Sequence, residues 1–89
     1  GVNNYVQKIT DMWLCGRVNN DHYIEAVYLL FDVHPFNQEE WKIYNAFENE
    51  VRDISTVIPI DNIRDSISDL TTSQKIYRLF RLTGINLNV

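Results

Sequence analysis

A single cysteine, Cys15, leaves the chain without an internal disulfide and without a thiol cluster that could hold a metal. Glycine is almost as scarce. The three glycines are isolated, which excludes a glycine-rich loop that cradles phosphates. Asn-Gly and Asp-Gly dipeptides are absent, and no stretch sustains apolar/polar alternation, so hairpins and half-buried strands have little to start from. There is no Asn-x-Ser/Thr acceptor for a glycan. The longest apolar run, around Val27 to Phe31, falls far short of the roughly 20 residues that cross a bilayer. The first residues show no signal-peptide pattern. These absences describe a soluble domain of a reducing, cytoplasmic compartment with no membrane partner.

What is present is ordinary globular material. Apolar residues make up 45% of the 89 and charged residues 22%, with two Trp, five Tyr and four Phe to fill a core. A chain of this length suits one domain, 1–89, able to bury about two-thirds of its unfolded surface. No repeat, linker or low-complexity tract divides it.

The apolar residues recur at helical spacing, and caps punctuate them. A first helix from near Asn4 carries Val6, Ile9, Met12 and Trp13 on one face, and Gly16 supplies its stop. After the polar turn Arg17–Asn20, a second helix is capped by Asn20 or Asp21. It carries Ile24, Val27, Leu30 and Phe31 and ends at His34, before Pro35. The third has the clearest start. Asn37 and Glu40 form a capping box, Glu39 favours the positive dipole end, and Phe36 can staple onto Trp41. Its stripe runs Trp41, Tyr44, Phe47, Val51, Ile54. Pro59 restarts the chain, and Ile60, Ile63, Ile67 and Leu70 mark a short fourth helix. Thr71 and Gln74 box the start of a fifth, which buries Ile76, Leu79, Phe80 and Thr83 and ends at Gly84, with Ile85 packed beyond the stop. Residues 86–89 form a loose tail unless Leu87 docks. The fold class is therefore all-α, about five short helices in a bundle or an orthogonal arrangement.

Catalytic chemistry finds few footholds. His22 and Glu25 can share a helical face, but a metal needs three or four ligands, and His34 lies about 18 Å away along the helix. Cys15 has no orienting partner and sits at the helix end that does not favour a thiolate, so a partly buried structural thiol is expected. Pairs such as Asp61 with Asp65, or Glu39 with Glu40, read as solvated acids. No catalytic residue, metal or cofactor is assigned, and the chain is not expected to be an enzyme.

Charge is distributed unevenly. Residues 19–69 carry −8, residues 70–89 carry +3 and residues 1–18 carry +1, giving −4 in all. The acids there include Glu39, Glu48, Asp61 and Asp65, and the last helix contributes Lys75, Arg78 and Arg81. Either the basic helix pairs with the acidic body of its own chain, or the two surfaces serve partners. In the second case the contact residues are those seven, with Tyr23 and Tyr77, which lie off the main stripes and have polar tips suited to interfaces.

The expected function is thus a non-catalytic protein–protein interaction module, a small acidic inhibitor or adaptor that buries a helical face against a protein partner. One alternative is a nucleic-acid-associated regulator using the last helix, which an isoelectric point near 4.9 disfavours. Another is self-association of acidic face on basic helix, in the manner of the death-fold adaptors, a comparison of size and helix content alone.

Overall fold

The most apolar segment of the chain becomes the centre of the structure. A computed structural model describes residues 2–54 and 59–87, and shows five helices: α1 (Val2–Leu14), α2 (Asn20–Val33), α3 (Glu40–Ile54), α4 (Ile60–Ser68) and α5 (Thr72–Thr83). The chain is an all-α domain. In α2, Tyr23, Ile24 and every residue from Ala26 to Phe31 are buried. A helix that is apolar on nearly all sides must be covered on nearly all sides. Accordingly α5, α1 and α4 all pack on α2. Each fully buried aliphatic such as Ile24 or Leu30 contributes about 1.5–3 kcal/mol. The radius of gyration, 12.2 Å, matches the roughly 12 Å of a folded chain of this length.

The caps explain where the helices begin and end. Asn37 Oδ1 accepts from the Glu40 N–H, and Glu40 Oε1 accepts from the Asn37 N–H, both at 3.0 Å. Thr71 and Gln74 repeat this reciprocal box before α5, and Gly84 ends α5 at φ +76°. Its N–H donates to the Phe80 carbonyl at 2.7 Å, and Ile85 is buried beyond it. Gly16 stops α1 in the same left-handed region.

Several expectations are corrected. Helix α1 starts at Val2, because the second oxygen of Glu40 accepts the Val2 N–H at 2.9 Å and the Val2 side chain is fully buried. The two backbone donors, Asn37 first, hold the Glu40 carboxyl below its usual pKa. The cap of α2 is Asn19, which accepts from the His22 N–H, and neither Asn20 nor Asp21 takes that place. Trp41 does head the stapled turn, its ring 4.6 Å from that of Phe36, but it is 48% exposed; the buried part of the α3 stripe is Phe47 and Val51. The side chain of Ile54 lies outside the described residues. On α5, Leu79 is buried while Phe80 is 45% exposed. Cys15 is exposed and not partly buried. Leu87 docks into the core, so the tail is held as far as Leu87, and residues 88–89 lie outside the described residues.

Candidate functional site

The basic helix is spent largely on its own chain. Lys75 Nζ donates to Asp32 at 2.9 Å, and Arg78 donates to both oxygens of Glu25 at 2.6 and 3.1 Å. The two pairs clamp α5 onto α2, and Glu25 raises the pKa of Arg78. Lys75 and Arg78 are therefore not a free basic surface. Arg81 is exposed and makes no ion pair among the described residues. Glu25, one turn from His22 on α2, is engaged by Arg78. Among the described residues no three of His, Cys, Asp and Glu gather to hold a metal.

Glu48 is likewise occupied. It accepts from the Tyr44 hydroxyl at 2.5 Å and the Tyr28 hydroxyl at 3.2 Å, and Arg64 lies 3.9 Å away. The Arg64 guanidinium also sits 4.4 Å over the Tyr28 ring. Burial first, and then Glu48, raises the pKa of both tyrosines, that of Tyr28 to about 12. This cluster ties α2, α3 and α4 together, and it removes Glu48 from the acids open to a partner.

Tyr23 is not at the surface. It is buried, stacked on Trp13 at 4.2 Å with the rings 5° apart, and edge-on to Phe47. Its position off the α2 stripe means little in a helix covered on most sides. Tyr23 instead floors a groove of about 350 Å³ between α1 and α3. Val6 and Thr10 form the α1 wall, Ile43 and Ala46 form the α3 wall, and Phe47 joins Tyr23 in the floor. Lys42 and Glu50 complete the lining. Burial raises the Tyr23 pKa, opposed by the Thr10 hydroxyl and reinforced by Glu50. Val2 meets Glu40 at one end, and Thr10 and Glu50 flank Tyr23 further along, so α1 and α3 run side by side in the same direction. Leu14 is one turn beyond Thr10 on the same side of α1, and it is 72% exposed.

Among the described residues two exposed regions stand out, the acids around α3 and α4, which lie among Lys42, Arg52 and Arg64, and the outer side of α5. Glu39, Glu50, Asp53, Asp61, Asp65 and Asp69 are exposed on α3 and α4 or at their ends. On the outer side of α5, Tyr77 is 63% exposed and lines shallow depressions with Ser73, Phe80 and Arg78, and Arg81 is exposed nearby on the same helix. Of the nine contact residues read from the sequence, Glu39, Asp61, Asp65, Tyr77 and Arg81 are exposed with no ion pair among the described residues, Arg78 is exposed but paired with Glu25, Lys75 and Glu48 are half-buried, and Tyr23 is buried. Thr10, Ile43 and Ala46, which line the groove, do not figure in the sequence reading.

No helix among the described residues is long and apolar enough to cross a membrane. Comparison of the chain with protein-family models, curated proteins and solved structures yields no match in any of the three.

Proposed function

We propose that the chain is a non-catalytic protein-interaction module, a small acidic inhibitor or adaptor that presents its α3–α4 side to a basic protein partner. One observation carries this reading. Lys75 and Arg78 neutralise Asp32 and Glu25 on α2, while on α3, α4 and their ends the exposed acids Glu39, Glu50, Asp53, Asp61, Asp65 and Asp69 outnumber the exposed cations Lys42, Arg52 and Arg64. A concentrated surface of one sign speeds association with the opposite sign and repels wrong partners.

The nucleic-acid alternative loses its support at the same place. Affinity for a phosphate backbone grows with the number of phosphates neutralised, and α5 retains Arg81 outside its internal pairs. Self-association of acidic face on basic helix is weakened for the same reason.

The test is capture from a source extract by the wild-type domain and by a variant carrying Glu39→Gln, Asp53→Asn, Asp61→Asn and Asp65→Asn. All four residues are exposed, so the variant should fold. The proposal expects a defined basic protein held by the wild type and lost from the variant. A protein retained equally by both, or released nucleic acid in its place, would overturn it.

A further inference from the structure

We infer that the groove between α1 and α3 receives a basic amphipathic helix of the partner protein. This rests on the proposed function and names the occupant of its surface.

The groove has the form such a helix needs. Two parallel helices make its walls, Val2–Leu14 on one side and Glu40–Ile54 on the other, and Tyr23 and Phe47 supply an aromatic floor. The lining takes in Val6 and Thr10 on α1 and runs from Lys42 to Glu50 on α3, a length of about 12 Å, enough for about two turns of a partner. The lining is mostly aliphatic or aromatic, so it suits the i, i+3/i+4, i+7 anchors by which an amphipathic helix lies in a groove. Leu14, 72% exposed and one turn beyond Thr10 on the same side of α1, adds an apolar side chain past the lined stretch.

Charge decides the chemistry of the occupant. The side of α3 that forms the wall carries Glu50 and Asp53 at the end near Leu14, with Glu39 just before the helix, against Lys42. A helix with leucine-like residues on one face and lysine or arginine along its flanks matches both the floor and the rim. A second copy of the chain does not. It brings a net charge of −4, and two of the three cations of its last helix are already paired within the chain.

The experiment uses a synthetic Leu/Lys peptide, about four turns long with leucines at helical spacing, and a control of equal charge with serine for each leucine. Binding to the whole domain is read by fluorescence anisotropy. Ala46 is exposed on the groove wall, so Ala46→Trp fills the groove without entering the core. The expected result is that the Leu/Lys peptide binds at least about tenfold more tightly than the control, a difference of about 1.4 kcal/mol. Ala46→Trp and Leu14→Ser should each weaken it by a comparable factor, while Tyr77→Ala on the far helix should not. Circular dichroism checks that each variant keeps its helices. If the two peptides bind alike, or both groove variants bind as well as wild type, the groove is not the site and the acidic surface alone accounts for binding. If neither peptide binds at low salt, the groove and the proposed function fail together.

Discussion

The Arg78 guanidinium grips both oxygens of Glu25, a residue 53 positions earlier in the chain. The Glu25 side chain is only 12% exposed, while Arg78 is 44% exposed. An ion pair at a surface contributes little, but this one is two-pronged and one partner is nearly covered. Arg78→Ala should therefore cost about 1 kcal/mol, and thermal unfolding should shift by about 4–8 °C. No change in melting temperature would mean that α5 is held by Leu79 and its apolar neighbours alone.

Glu48 serves two tyrosines at once. Glu48→Ala leaves the Tyr28 and Tyr44 hydroxyls without their acceptor and Arg64 without its anion. The expected loss is about 2 kcal/mol, and Tyr28→Phe should cost about 1 kcal/mol, since it removes one bond without stranding a partner. Chemical denaturation of both variants decides this. Equal costs would show that the acceptor is easily replaced by water.

Alkaline titration offers an independent reading of the same cluster. The Tyr28 pKa rises in the fold from 10.0 to about 12, so the neutral form is favoured by folding. That contribution to stability is complete below pH 10 and is lost as pH rises through about 12. Stability measured by urea unfolding should fall across this window in the wild type and fall less in Tyr28→Phe. A drop of the same size in both would place the titrating group elsewhere.

Trp41 and Phe47 lie two turns apart on α3 and differ in burial. Trp41 is 48% exposed and packs on Phe36, whereas Phe47 is 4% exposed and meets the rings of Tyr23 and Tyr28. Phe47→Ala should cost about 3–5 kcal/mol through the cavity it leaves. Trp41→Ala should cost about 1–2 kcal/mol, the scale of its ring contacts. Equal costs would contradict the placement of the α3 face.

Local chemistry was legible in the sequence, and long-range coverage was not. Asn37 with Glu40 and Thr71 with Gln74 are boxes closed within four residues, so residue type and spacing suffice to find them. The stop at Gly84 is local in the same sense. Helical spacing placed Trp41 and Phe80 on apolar stripes, but a stripe does not say how far the covering helix extends. Tyr23 lies off the apolar stripe of α2, and a stripe implies a solvated far side, whereas the neighbours of α2 cover it nearly all round. The pairing of α5 with α2 was open in the charge map, and only the fold joins Lys75 to Asp32 and Arg78 to Glu25. The groove could not be read at all, because its walls come from helices separated by all of α2.

The sharpest measurement is an amide NMR titration of the isotopically labelled domain with the Leu/Lys peptide. Saturable shifts at Val6, Thr10, Leu14, Ala46 and Glu50, with α5 undisturbed, are the result predicted here. Shifts confined to Tyr77, Phe80 and Arg81, or spread evenly over the acids of α3 and α4 with the groove silent, would contradict it.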